Sequence, residues 1–268
     1  MLTAAARRFL DIPSEIRKLG AGTAVRMYSS WLLHPPYVAG ESSSAIPLGT
    51  LKLKGYPYPF FFRHGASDVR VIRQIFLKEE YRELRGEKNM GRIIDCGANI
   101  GCSAVYFLSK YPDAELIAVE PDEGNFLLLQ KNLEPFGGRA RALRAAVWSR
   151  DQRLRVDRGH FGDGKEWSYQ VRVCRDDEQA DVTALGLETI LNKFNWEGVD
   201  LLKIDVERAE LELFTSDYTP WLSRTRNMAI ELHDPDCEQV FLRAMAGYDY
   251  EVQQSGETTI CRNIRART

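Results

Sequence analysis

Asp205, Glu231 and His233 are side chains that accept protons or ligate metals, and each stands at or just after a short apolar run, "DLLKID" or "MAIELH". His233 is the expected general base, since a neutral imidazole titrates near working pH. Glu231 can orient the ring, and Asp205 can face the group that gives or receives the reacting atoms. Each has a structural reading beside it: a turn histidine bonded to backbone, or an Asp capping a helix that begins at Glu207. A second set lies in "DCGANIG", with Asp95, Gly97, Asn99 and Gly101, and in Glu120 at the end of the next apolar run. Gly97 leaves room against the main chain and Gly101 lets helix and strand approach. A helix opening at Gly101 favours an anion, and Glu120 can accept hydrogen bonds from a ribose diol. The set suits a nucleoside with a small charged appendage, while a tight turn with no ligand is the structural alternative.

Such residues work only if strand ends bring them together. The apolar runs "RIIDC", "LIAVE" and "DLLKID" read as buried parallel strands. We expect strands near 92–96, 115–120, 141–147, 199–204, 226–232, 248–253 and 258–263, and helices near 101–110, 122–134, 185–194, 207–216 and 236–246. This is an α/β fold, a doubly wound, Rossmann-like sheet of seven mostly parallel strands, with the last strand antiparallel. "QRLRVD" and "YQVRVC" form an additional hairpin. Upstream, residues 1–50 read as a helical extension ending in a Pro-, Gly- and Ser-rich linker. Residues 51–90 hold a hairpin and a Ser-Asp-capped helix over the pocket, and 91–268 form the main domain. The first 30 residues suit one amphipathic helix with Arg7, Arg8, Arg17 and Lys18 on its polar side.

Composition narrows the partners. A net charge of -2 offers no general attraction to nucleic acid. Five cysteines without a CxxC pair fit a reducing cytoplasm better than a disulfide framework. No apolar run approaches the roughly 18 residues of a membrane span. The expected partner is a small molecule.

Two ligands fit the turn. A dinucleotide requires GxGxxG, which "DCGANIG" lacks. S-adenosylmethionine presents an ammonium that Asp95 can pair with, and the terminal antiparallel hairpin suits a methyltransferase rather than a dehydrogenase. Pro121, beside Glu120, and Ala146 and Val147, at the end of the third strand, complete the expected cofactor contacts.

Across roughly residues 51–264 the chain resembles the FkbM-type class I methyltransferases, in "FFFRHGASDVRVIRQIFLKEEY", "IIDCGANIGCSAVYF", "AVEPDEGNFLLLQKNL", and "VDLLKIDVERAELELF" followed by "IELH". The resemblance implies methyl transfer from S-adenosylmethionine to a hydroxyl of a sugar or natural-product scaffold. Where the family has Glu-Gly-Ala-Glu, this chain has "ERAE", with Arg208 in place of glycine. Arg63, Asp68, Glu207 and Arg208 are the expected substrate contacts, with Arg63 and Asp68 in a lid. N-methyl transfer to an amine or peptide, and a noncatalytic nucleoside-binding module, are the alternatives. A divalent metal held by Asp205, Glu231 and His233 stands second to the metal-free mechanism. An anionic acceptor is the sharper reading of the arginines at 139, 141, 144, 150, 153, 155 and 158, and a solvated face the plainer one.

Overall fold

The computed structural model describes residues 12–33, 47–157, 170–175 and 178–267, and the chain divides into the units Met1–Glu79 and Glu80–Thr268. In the first unit, α1 (Ile12–Leu19) and α2 (Ala21–Leu33) replace the single expected helix. Gly20, at a φ of 80°, separates them, a conformation that glycine adopts without Cβ strain. Arg7 and Arg8 lie outside the described residues. Strands β1 (Leu48–Leu51) and β2 (Phe60–Arg63) form the expected antiparallel hairpin, although the first strand stops at the start of "LKLK". Helix α3 (Asp68–Ile72) follows and widens into a π-helical turn at Arg73–Leu77. Ser67 makes no side-chain cap.

The second unit alternates strands and helices as its apolar periodicity requires. In chain order these are β3 (Arg92–Cys96), α4 (Cys102–Lys110), β4 (Glu115–Val119), α5 (Glu123–Leu133), β5 (Ala140–Leu143), β6 (Ala146–Trp148), β7 (Gln152–Asp157), β8 (Gln170–Val173), β9 (Val182–Gly186), α6 (Leu187–Lys193), β10 (Leu201–Ile204), α7 (Glu210–Thr215), α8 (Thr219–Leu222), β11 (Met228–Glu231), α9 (Pro235–Met245), β12 (Tyr248–Ser255) and β13 (Thr258–Ala266). The main sheet has the order β12-β13-β11-β10-β3-β4-β5. Its five central and lateral strands are parallel, and β13 runs antiparallel to β11. This is the doubly wound, mostly parallel seven-stranded sheet expected from the sequence. Its order reverses between β3 and β10, the crevice where open α/β sheets bind ligands.

Strand alternation sends residues to two faces. Ile94, Cys96, Ile117, Val119, Leu202, Ile204, Met228 and Ile230 enter one core with apolar residues of α6 to α9. Asp95 faces the other way and meets Ser103 of α4. Covering both faces explains why these strands are apolar nearly throughout.

The expected third strand, 141–147, is two strands. A tight turn, with Ala145 N–H donating to Leu143 O, breaks it after β5. β6 then leaves the main sheet and joins a second sheet of order β6-β9-β7-β8, which includes the expected β7–β8 hairpin. Strand β9 was not anticipated. Among the described residues, no helix is long and apolar enough to cross a membrane.

Candidate active site

The glycine turn is built as much for the protein as for a ligand. Gly97 has a φ of 74°, and a Cβ there would lie 1.8 Å from the carbonyl oxygen of Asp205. The bareness at Gly97 thus serves the close approach of the chain leaving β10, in addition to any room left above it. At Gly101, with φ 93°, a Cβ would meet Leu129 Cδ1 of α5 at 2.9 Å, so the close packing is of helix on helix. Asn99 is left-handed as well, at φ 51°, a region Asn enters more readily than most residues. Its N–H donates to Glu120 Oε2 at 2.8 Å.

Glu120 therefore ties the turn to the end of β4. Its other oxygen accepts from Asp122 N–H at 3.0 Å and Asn125 Nδ2 at 3.3 Å. Burial pushes its carboxyl up to about 7, against the pull of these donors. Pro121 is half-buried beside it, and Asp122 caps α5 by accepting from Asn125 N–H.

Asp95 is fully buried, accepts from Ser103 Oγ at 2.6 Å and pairs with Lys203 Nζ at 3.2 Å. Its carboxylate faces this lysine from inside the fold. Lys203, itself 3% exposed, also donates to Gly97 O at 2.7 Å and stands 3.4 Å from Asp205 Oδ2. Burial acts to lower the ammonium pKa, but Asp95 and Asp205 outweigh it and hold the charge. One buried cation thus connects the glycine turn to a carboxylate at the strand ends. Ala146 packs with Trp148, Leu154, Val182, Ala184 and Ala209, while Val147 enters the main core. Trp148 is a packing residue of the second sheet.

At the carboxyl ends of β10 and β11 the expected trio converges. Ligand atoms of Asp205, Glu231 and His233 all lie within 4.8 Å of one another. His233 Nε2 stands 3.6 Å from Asp205 Oδ1, 3.6 Å from Glu207 Oε1 and 3.9 Å from Glu231 Oε1. Its Nδ1 is 3.0 Å from Glu210 Oε1. Burial pulls the imidazole pKa down, but hydrogen bonds to Glu207 and Glu210 and the surrounding negative charge push it up to about 12. In this environment the ring carries a proton, unlike the neutral imidazole anticipated from sequence. Burial, then the charge of Asp205, pushes Glu231 up to about 8.

The group that orients the ring is Glu210, not Glu231. It is fully buried and also accepts from Val206 N–H at 3.1 Å. The sequence motifs did not single it out, yet the signal was present, since Glu210 shares the i, i+3, i+4 face of Leu213 and Phe214. Helix α7 begins at Glu210 rather than Glu207, and Asp205 does not cap it. Glu207 and Arg208 instead take left-handed conformations, with φ of 48° and 74°. The second value explains the glycine usual at this position, and here Arg208 Nε pairs with Asp234 Oδ2 at 2.6 Å. Asp234 in turn caps α9 through Cys237 N–H.

In the first unit, Arg63 and Asp68 form a buried two-pronged pair, with Nη2–Oδ1 2.7 Å and Nε–Oδ2 3.1 Å, and Asp68 also accepts from Arg63 N–H. Of the arginine stretch, Arg139 and Arg141 donate to backbone carbonyls, Arg144 pairs with Glu123, and Arg155 pairs with Glu178 and Asp181. Arg158 lies outside the described residues.

Several known proteins are similar to this chain. The AMB antimetabolite synthetase AmbE of Pseudomonas aeruginosa is 26% identical over 61% of this chain, which spans 9% of AmbE's length. Methyltransferase sdnD of Sordaria araneosa is 28% identical over 53% of this chain and 66% of its own length. The 2-O-methyltransferase NoeI of Sinorhizobium fredii is 27% identical, covering 65% of this chain and 73% of NoeI. The model of the methyltransferase FkbM domain matches residues 95–260, from the acid that opens the glycine turn to the last strand of the sheet. With that match over most of its length, the chain belongs to the FkbM methyltransferase family.

Proposed function

We propose that this protein transfers a methyl group from S-adenosylmethionine to a hydroxyl of a sugar or secondary-metabolite scaffold. The observation that carries the reading is the meeting of Asp205, Glu231 and His233 beside the glycine turn, at the sheet's switch point. Family membership supports the methyl donor, and the 2-O-methyltransferase name of NoeI supports oxygen as the acceptor atom.

The ligand then lies over residues 97–101, with its ribose hydroxyls toward Glu120. Asp95 acts through Lys203 and Ser103 to hold the turn. Alignment of hydroxyl, methyl carbon and sulfur supplies the larger part of the rate, an effect worth about 7–11 kcal/mol. The hydroxyl proton passes to the carboxylate-rich cluster. There the oxygens of Asp205, Glu207 and Glu231 surround His233, and Glu210 fixes the ring. Arg208, tethered to Asp234, flanks the acceptor side.

The same ring of carboxylates is the feature that favours an amine acceptor, the N-methyl alternative. Incubation with labelled S-adenosylmethionine and paired saccharide and amine acceptors, followed by mass spectrometry of the products, separates the two. Transfer to a saccharide hydroxyl is the expected result. Methylamine products alone would replace this reading, and S-adenosylhomocysteine binding with no transfer to any acceptor in the protein's own cell extract would leave a nucleoside-binding module.

A further inference from the structure

The geometry points to a divalent-cation site formed by Asp205, Glu231 and His233, which takes a hard ion of the Mn²⁺ or Mg²⁺ class. A ligand sphere of about 2.1 Å radius separates neighbouring donor atoms by roughly 3 Å and opposite ones by roughly 4.2 Å. Here Nε2 of His233 stands 3.6 Å from Asp205 Oδ1 and 3.9 Å from Glu231 Oε1, and all three atoms fall within 4.8 Å. A small inward movement of half-exposed side chains completes the triangle around one ion.

The histidine, not the acids, singles this cluster out. Glu210, at 0% exposure, takes up Nδ1 at 3.0 Å and leaves Nε2 as the atom directed at Asp205 and Glu231. A carboxylate on the far nitrogen is the arrangement that fixes tautomer and ring direction in metal-ligating histidines. Charge adds a second, independent argument. Asp95, Asp205, Glu207, Glu210 and Glu231 share two cationic side chains, Lys203 and His233, and Lys203 is divided between Asp95 and Asp205. A divalent ion that displaces the proton from Nε2 puts two positive charges where the imidazolium supplied one and so reduces the excess. Two carboxylates and one imidazole favour Mn²⁺ or Mg²⁺, with the open positions left to water and the acceptor.

The ion's purpose rests on the methyl-transfer reading, whereas its binding does not. The acceptor oxygen coordinates the ion, which makes its hydroxyl more acidic. The proton passes to Glu207, whose Oε1 lies 3.6 Å from Nε2 without being needed as a ligand. The oxygen then forms a bond to the methyl carbon as the carbon–sulfur bond breaks. Its electron pair stays on sulfur, converting the sulfonium to the neutral thioether, and the proton later leaves Glu207 for solvent.

The test uses the full chain, stripped with EDTA and passed through a metal-free column. Mn²⁺ is titrated by calorimetry and by loss of its free paramagnetic signal, with and without S-adenosylhomocysteine, and Mg²⁺ and Zn²⁺ serve as competitors. We expect one Mn²⁺ per chain, displaced by excess Mg²⁺, with affinity at least tenfold weaker in Glu231→Gln and in Asp205→Asn, each checked for fold by circular dichroism. Absence of ion uptake by the wild-type chain overturns the inference, as does uptake that both variants leave unchanged. Displacement by Zn²⁺ but not by Mg²⁺ overturns the assigned ion class. S-adenosylhomocysteine binding in the same samples keeps the two readings apart: thioether uptake without an ion defeats only the metal, and ion uptake without the thioether defeats only the methyl-donor pocket.

Discussion

Glu210 holds His233 from within the core, its Oε1 3.0 Å from the ring's Nδ1 and its side chain fully buried at the start of α7. The direction of the ring is therefore set by the helix after β10, although the histidine belongs to the loop after β11. Glu210→Gln keeps an oxygen for Val206 N–H and for the ring but removes the charge, and should lower turnover by about 10- to 100-fold, as loss of a supporting carboxylate does elsewhere. Affinity for S-adenosylhomocysteine should stay within about twofold, since Glu210 does not reach the glycine turn. Steady-state kinetics beside calorimetry measure both, and an equal loss in the two would mean the substitution acts through the fold.

Glu120 gives a pH dependence whose sign follows from burial. Its carboxyl sits at about 7 in the folded chain, raised by desolvation. Between the unfolded value near 4.5 and about 7, the folded state keeps a proton that the unfolded state has lost. The stability from this group is thus complete at low pH and is lost as pH rises through about 7, an effect of up to about 3 kcal/mol. The ionised form is the better acceptor for ribose hydroxyls, so affinity for an adenosyl ligand should rise from pH 6 to pH 8. Both slopes should vanish in Glu120→Gln. Urea midpoints and calorimetry at each pH, wild type against variant, provide the check.

The two glycines should differ sharply. Gly97→Ala drives a Cβ to 1.8 Å from the backbone oxygen of Asp205, which cannot give way without parting β3 from the chain leaving β10. Gly101→Ala meets a flexible leucine methyl at 2.9 Å, and pays mainly for its φ of 93°. We expect a loss of about 1–2 kcal/mol at Gly101 and more than about 3 kcal/mol at Gly97, with cofactor binding abolished in the latter. Denaturant midpoints that rank them the other way would show that the turn is held differently.

This contrast also marks what the sequence made legible. Strands β3, β4, β10 and β11 could be read because their apolar runs are buried on both faces, the terminal hairpin could be read from its Ser-Gly turn, and Asp205, Glu231 and His233 could be placed because each ends or follows an apolar run. The break at Arg144–Ala145 could not, since residues 141–147 read as one strand and only pairing partners distinguish β5 from β6. Gly97 was read as space for a ligand because the carbonyl that occupies its flank comes from a residue 108 positions later. Glu210 was passed over because an acid in a first helical turn has an ordinary use, and its place on a buried face counted for less than it should have.

Arg208 tests a local substitution against its compensation. A φ of 74° costs a non-glycine residue about 1 kcal/mol, and the half-exposed pair with Asp234 returns about 0–1 kcal/mol. Arg208→Gly should therefore be as stable as wild type or up to about 1 kcal/mol more so, while Arg208→Ala, which keeps the strain and loses the pair, should cost up to about 1 kcal/mol. Thermal midpoints of the two variants decide the matter. A glycine variant much less stable than the alanine one would mean that the backbone there is not strained.

Lys203 offers the strongest separation of charge from packing. Lys203→Met leaves Asp95 fully buried with only Ser103 Oγ as a donor, frees the Gly97 carbonyl, and removes the cation facing Asp205. Breaking one side of a buried pair typically costs about 3–5 kcal/mol, most of it the penalty on the charge left behind. Lys203→Met combined with Asp95→Asn removes that stranded charge, so the double variant should recover more than half of the lost stability. Turnover should not recover with it, because Asp205 still lacks the ammonium that stood 3.4 Å away and the Gly97 carbonyl still lacks its donor. Urea denaturation and single-turnover methyl transfer on the same three proteins give both quantities. A double variant as unstable as Lys203→Met would mean that Asp95 is not the charge that matters, and one that recovers full turnover would confine Lys203 to neutralising Asp95.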